Sequence, residues 1–130
     1  MKSIKKYKEV YILGIGGSGM SSIAKYLNQR GSIVKGYDQR SSYVTNLLEN
    51  DGVTTTQDMS NEKYNEDVLY IVSSAVKIEE TFLKHYESKE NVMSRPTFLH
   101  LLSKEVEIIG ITGSHGKTST TALVAHIFHY

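Results

Sequence analysis

The sequence predicts an α/β fold built on an open parallel sheet with helices on both faces. Two observations support this. Short apolar segments rich in β-branched residues alternate with amphipathic segments along the whole 130-residue chain, which is the pattern of a parallel sheet with helical crossovers. A glycine-rich stretch also follows the first apolar segment directly, at the place where such sheets bind their ligands.

The first half of the chain contains two strand–helix pairs. Residues 9–15 are short and apolar, as expected for a strand buried on both faces. Residues 16–31 have apolar side chains at helical spacing and end on a glycine cap. Residues 32–38 form the second predicted strand, and residues 41–52 a helix that opens on a serine cap and closes on glycine. Residues 53–66 are polar and aperiodic, which predicts a loop with a short strand at its start.

The second half continues the alternation. Strands are predicted at 67–73, 91–93 and 106–112, and helices at 79–90, 95–105 and 116–130. The segment at 67–73 is the clearest strand and ends in two serines. The helix at 79–90 is predicted from its amphipathic pattern, and the helix at 95–105 has a proline in its first turn, where no N–H is needed.

Composition excludes several function classes. The formal net charge is +1, which argues against a nucleic-acid binder, since such proteins carry strongly basic faces. The absence of cysteine excludes disulfides and thiolate metal sites. No apolar run approaches the ~18 residues of a membrane span, and the lysine-rich start lacks a signal-peptide cleavage pattern. We therefore expect a cytoplasmic protein with neither nucleic-acid nor membrane partners.

The first glycine loop has the spacing of a nucleotide-binding turn. In "GIGGSG", Gly14, Gly16 and Gly19 stand between a strand and a helix, which suits a tight turn, backbone approach to a diphosphate and close helix packing. Asp38 ends the second strand, where an acid accepts hydrogen bonds from ribose hydroxyls. The pattern predicts a Rossmann-like site for a nucleoside diphosphate, and leaves NAD, FAD and UDP-sugars open.

Two serines lie at the same predicted edge of the sheet. Ser73 and Ser74 follow the strand at 67–73, and their hydroxyl and N–H groups could contact a diphosphate or a sugar. An ordinary serine-capped turn explains the same spacing equally well.

A second glycine loop, "GSHGKT", predicts a phosphate-binding loop for a nucleoside triphosphate. Lys117 would reach the β- and γ-phosphates and the Thr118 hydroxyl would bind Mg²⁺, while the amides of 114–118 would surround the anion. The loop is shorter than the usual form, because Ile111 stands where its first glycine belongs and Gly113 is the first one available.

Two phosphate loops imply two domains. Residues 1–104 contain every element of a Rossmann-like domain. Residues 105–130 contain only the first strand, P-loop and helix of a second domain, an ATPase. The strand at 106–112 would leave an apolar edge through which two copies could associate.

Together these motifs resemble the Mur ligase family. The matching stretches are "GIGGSGMSSIA", "YD" at the end of the second strand, "VSSAV" and "ITGSHGKTSTTALVAHI". In that family the shortened loop is the normal ATP loop. The "GGSGMS" form resembles most the members that add L-alanine to UDP-N-acetylmuramate, and the murein-tripeptide recycling ligases are similar.

The resemblance implies a role for each motif residue. The UDP-sugar would be bound by Gly14, Gly16, Gly17, Ser18, Gly19, Met20, Asp38, Ser73 and Ser74. ATP would be bound by Gly113, Ser114, His115, Gly116, Lys117, Thr118 and Ser119, with Lys117 catalytic and Thr118 on Mg²⁺. The family often has a Gly-His pair before the "SSA" strand, whereas residues 54–63 read "TTTQDMSNEK", so no role is assigned there.

The resemblance also implies a reaction in peptidoglycan precursor synthesis. The muramoyl carboxylate would become an acyl phosphate at the expense of ATP, and the amine of L-alanine would then displace phosphate. The family has three domains, so this chain is expected to be an N-terminal piece that is inactive alone.

One alternative of another class fits part of the sequence. A stand-alone NAD-binding regulatory module would match the chain length, the first glycine loop and Asp38. Such a module has no use for "GSHGKT", which therefore favours the ligase.

Overall fold

Five parallel strands form one open sheet in the computed structural model, which describes residues 4–110. The strands are β1 (Glu9–Leu13), β2 (Ile33–Tyr37), β3 (Thr54–Thr56), β4 (Val68–Val72) and β5 (Val92–Ser94). Their order is β3-β2-β1-β4-β5, and every neighbouring pair is parallel. The predicted open parallel α/β sheet is confirmed, with β1 at its centre.

Three α-helices pack on one face of this sheet. They are α1 (Ser18–Gln29), α2 (Tyr43–Asn50) and α3 (Arg95–Gly110). The predicted serine cap of α2 is confirmed as a capping box, in which Ser42 N donates to Thr45 Oγ1 at 2.8 Å and Thr45 N donates to Ser42 Oγ at 3.3 Å. Each bond satisfies an N–H that the helix itself leaves without an acceptor.

The larger apolar core lies between the sheet and these helices. Alternate residues of the strands point to it, because side chains of a strand alternate between the two faces. Its fully buried members are Ile12, Ile15, Ile23, Ala24, Ile71 and Phe98.

The opposite face is covered by a different kind of structure. Here Tyr11, Tyr70 and Leu83 are buried, and the ring of Phe82 meets that of Tyr11 edge-on with centroids 5.5 Å apart. The chain over this face contains the short 3-10 helix Ile78–Glu80 and a series of turns. No α-helix covers this face within residues 4–110.

The helix predicted at 79–90 is therefore wrong. Thr81 Oγ1 donates to Ile78 O at 2.7 Å and accepts from Leu83 N at 3.1 Å, so its hydroxyl replaces helical backbone bonds with a local turn. Further on, Tyr86 N bonds Leu83 O, three residues back. Apolar side chains of the segment still face the sheet, which is why the pattern looked amphipathic.

The strand predicted at 106–112 is wrong over its described part. Residues 106–110 continue α3, and residues 111–112 lie outside the described residues. A strand needs a neighbour to bond with, and no strand within residues 4–110 pairs with this segment. The apolar edge expected there for self-association is accordingly not formed by residues 106–110.

The remaining predictions for the second unit concern residues 111–130, which lie outside the described residues. The division between 104 and 105 stays a prediction, and α3 runs across it. In the part of the chain that is described, no helix is both long and apolar enough to cross a bilayer.

One buried hydroxyl gives a stability prediction. Tyr11 is 4% exposed, and its hydroxyl has no hydrogen-bond partner among residues 4–110. Burying such a group unpaired costs free energy, so Tyr11→Phe is expected to raise the free energy of unfolding by about 1 kcal/mol. Tyr70→Phe on neighbouring β4 is the matched control, because the Tyr70 hydroxyl accepts from Asn65 N at 2.9 Å; it should destabilise. Urea denaturation of both variants checks the opposite signs.

The same two tyrosines predict a loss of stability in alkali. Burial raises the pKa of Tyr11 and of Tyr70 above the usual value. An unfolded tyrosine ionises near pH ~10 while these buried ones stay protonated, so stability is intact below about pH 10 and falls above it. The decline should be shallower in Tyr11→Phe. Urea denaturation at about pH 9 and about pH 11 gives the loss of unfolding free energy between these two pH values. An equal loss in Tyr11→Phe and the parent would contradict this prediction.

Candidate functional site

The candidate site lies at the carboxyl edge of the sheet, where β1 and β4 meet. From β1 the chain proceeds to β2 on one side, and from β4 it proceeds to β5 on the other. Such a reversal leaves a crevice between the two central strands, at which open α/β sheets bind ligands. The loop after β1, the acid after β2, the serines after β4 and the first residue of α3 all lie at this edge.

The glycine loop is held by the end of β2. Gly14 N and Ile15 N both donate to Tyr37 O, at 2.7 and 2.9 Å, and Gly17 N donates to Gly14 O at 3.1 Å. Gly14 has a φ of +87°, which a residue with a side chain adopts only at a cost. These backbone bonds hold the turn against the end of β2.

Gly14 also brings the loop against β4. A Cβ atom on Gly14 would lie 2.6 Å from Ser73 Cβ, far inside any normal contact. Ser73 is held in place because its N donates to Leu13 O at 3.0 Å, while its Oγ accepts from Ala75 N at 3.2 Å. Ser73 therefore lies against the glycine loop, at the sheet edge that the sequence predicts. Its hydroxyl also forms the serine-capped turn that was the alternative interpretation.

Asp38 is bonded to the loop. Its Oδ2 accepts from Gly16 N at 2.8 Å, and its Oδ1 accepts from Arg40 N at 3.2 Å. A Cβ on Gly16 would lie 2.7 Å from Oδ2, so the second glycine allows this approach. The carboxylate acts as a support of the loop, and its remaining lone pairs leave room for the predicted ribose contact.

The amino end of α1 is open toward the edge. Gly17 is its N-cap, no side chain caps it within residues 4–110, and its first turn contains no acid. The N–H groups of Ser18, Gly19 and Met20 belong to the first turn, which has no intrahelical acceptors, and the helix dipole adds partial positive charge there. The Met20 side chain is 2% exposed in the core, so only its backbone can serve the site.

Two depressions flank Ser73. The first has a volume of about 380 Å³ and is lined by both ends of the loop together with Asp38, Met59 and Thr81. The second has a volume of about 440 Å³ and is lined by Ser74, Ser94 and Arg95 among others. Both volumes suit a small-molecule ligand. Ser73 borders both, whereas Ser74 borders only the second.

Arg95 is a site residue that the sequence analysis missed. It is the first residue of α3, and its guanidinium lies over Gly19. One sequence signal was available, since a basic residue directly follows the short strand predicted at 91–93. That signal has meaning only once β5 is known to lie beside β4.

The structure does not test the predicted ATP and Mg²⁺ sites. Residues 113–119, including Lys117 and Thr118, lie outside the described residues. Within the described part, no group of three or more His, Asp or Glu side chains could hold a metal ion.

The strand order, the glycine loop and the acid after β2 define an open α/β domain of the Rossmann type. A model of the Mur ligase family, catalytic domain, matches residues 9–107. The UDP-N-acetylmuramate–L-alanine ligase of Cytophaga hutchinsonii is 38% identical over 127 residues, which cover 92% of this chain and 27% of the relative. A ligase of the same name from a Hydrogenobaculum species is 41% identical over 128 residues, covering 96% and 28%. The chain belongs to the Mur ligase family, as its motifs predicted.

The chain spans 27% and 28% of the length of these two curated relatives. A crystal structure of the UDP-N-acetylmuramate–alanine ligase of Thermotoga maritima superposes with a TM-score of 0.62 at 24% identity. The match covers 75% of this chain and 23% of that one. This likeness confirms the fold.

The contact between Gly14 and Ser73 gives a prediction with an internal control. Gly14 and Gly31 both have a positive φ, but a Cβ on Gly31 would meet nothing within 4 Å. Gly31→Ala should cost only the backbone term, about 1 kcal/mol of unfolding free energy. Gly14→Ala adds a clash with β4 and should cost about 3 kcal/mol. Urea denaturation measures both, and equal losses would show that β4 yields freely to the added methyl.

Proposed function

We propose that this chain is the UDP-sugar-binding portion of a ligase that adds L-alanine to UDP-N-acetylmuramate. The carrying observation is the set of relatives with that printed name at 38% and 41% identity, matched across nearly all of this chain. Because the chain spans less than a third of those relatives, binding is proposed for this portion and ligation for the whole protein.

The site geometry supports a diphosphate at the glycine loop. The open N–H groups of the first turn of α1 and the positive end of its dipole favour an anion there. Asp38 borders the 380 Å³ depression at the end of β2, where a carboxylate can accept from ribose hydroxyls. A nucleotide with its diphosphate over α1 and its ribose toward Asp38 satisfies both groups.

ATP and Mg²⁺ are proposed for the second loop. The support is the sequence "GSHGKT" at residues 113–118 and membership of the family. Activation of the muramoyl carboxylate as an acyl phosphate would give L-alanine an electrophile, and Lys117 would stabilise the transferred phosphoryl group. Two of the proposed substrates, ATP and the UDP-linked sugar, are nucleotides that cells keep in the cytoplasm, so a cytoplasmic location is part of the proposal.

Calorimetric titration of the 130-residue chain tests the binding half of this proposal. UDP-N-acetylmuramate should bind, and Asp38→Ala should weaken it by about 10-fold or more, because a charged acceptor is lost both from the loop and from the ligand. Asp67→Ala is the matched control: it removes an exposed acid at the opposite end of β4 and should bind as the parent does.

Melting curves of both variants separate loss of fold from loss of binding. NADH is the competing ligand. Binding of NADH with none of the UDP-sugar would overturn the proposal in favour of an NAD-binding module.

A further inference from the structure

The guanidinium of Arg95 lies directly over the third glycine of the loop. A Cβ atom on Gly19 would lie 2.5 Å from Arg95 Nε, 2.7 Å from Cζ and 2.9 Å from Nη2. All three distances are too short for a real contact, so the planar group occupies the space that a side chain at position 19 would need. The third glycine of such loops usually serves helix–strand packing; here the atoms it makes room for belong to a cation.

The start of α3 fixes the backbone from which this exposed side chain projects. Ser94 Oγ accepts from Thr97 N at 3.3 Å and donates to Thr97 Oγ1 at 3.1 Å, which caps the first turn of α3. Pro96 follows Arg95 at a position where proline suits a helix. The backbone of Arg95 is therefore set by the end of β5 and by the cap together.

The position of this charge favours an anion beside it. Arg95 has no ion pair and no hydrogen bond through its side chain among residues 4–110, and it lies beside the positive end of α1, whose first turn contains no acid. A cation at that end of a helix is repelled by the dipole, whereas an anion is attracted by both. Arg95 also lines the 440 Å³ depression, together with Ser73 and Ser74.

We propose that Arg95 binds a phosphate of the nucleotide at the glycine loop, and that position 19 is glycine to admit the guanidinium. This inference rests on the proposed function, because it assigns a further residue to the same site. The chemistry fits: a guanidinium presents paired N–H donors to phosphate oxygens, and the first-turn amides of α1 are directly beside it.

Ligand titrations followed by NMR test the assignment, because NMR can measure the weak binding expected for a nucleoside. UDP and uridine are titrated into the 130-residue chain and into Arg95→Gln. Loss of a charge-assisted contact should weaken UDP about 10- to 100-fold and leave uridine unchanged. Arg95→Lys keeps the charge without the paired donors and should fall between the two.

The matched control is Arg30→Gln. It removes an equal charge from an exposed arginine at the opposite end of α1, so UDP affinity should stay unchanged. Equal UDP affinity in Arg95→Gln and the parent would overturn this inference alone. Absence of UDP binding to the parent chain would overturn the proposed function as well, so the two failures are distinguishable.

The role of Gly19 is tested by a double-mutant cycle. Gly19→Ala should displace the guanidinium and weaken UDP about as much as Arg95→Gln does. The double variant should be no weaker than either single one, because both act on one contact. Additive losses would show that Gly19 serves something other than Arg95, and thermal melts confirm that each variant is folded.

Discussion

The close approach of Gly14 to Ser73 is the constraint on which the candidate site depends. The two residues directly follow β1 and β4, and a methyl group added to Gly14 would lie 2.6 Å from the Ser73 Cβ atom. The turn can therefore pass next to β4 only with glycine at position 14. Once it does so, the loop, the amino end of α1 and the serine turn lie at one edge. A bulkier residue would separate the loop from β4, so the loop and the serine turn would no longer form one site.

Backbone groups form most of this site, and the side chains around it mainly hold them in place. Tyr37 supplies a carbonyl to two loop amides, and Asp38 supplies a carboxylate to a third. These bonds use the amides of Gly14, Ile15 and Gly16 and leave those of the first turn of α1 available. The loop is consequently held by hydrogen bonds at the end of β2 and leaves free amides toward the edge, which is the arrangement that anion binding needs.

The sequence predicted the elements whose signals are local. The buried strands, the capped α2 and the glycine turn each depend on a few neighbouring residues. The helix prediction at 79–90 failed because the Thr81 hydroxyl competes with helical hydrogen bonds. The spacing of apolar residues contains no information about that competition. The strand prediction at 106–110 failed because a strand needs a neighbouring strand to bond with, which local sequence does not reveal. Arg95 was missed because its neighbour Gly19 is distant in sequence and is brought close only by the parallel pairing of β1 with β4 and of β4 with β5.

The edge of the sheet has an electrical polarity. On the β2 side of the loop lies the carboxylate of Asp38, which accepts hydrogen bonds; on the β5 side lies the guanidinium of Arg95, which only donates them. A nucleoside diphosphate has the complementary polarity, with hydroxyl donors at the ribose and acceptor oxygens at the phosphates. The reverse orientation would place phosphate against carboxylate, which is repulsive. Two charges on opposite sides of one glycine loop would thus select the direction of the nucleotide proposed to bind there, and glycine at positions 16 and 19 lets both charges approach the loop.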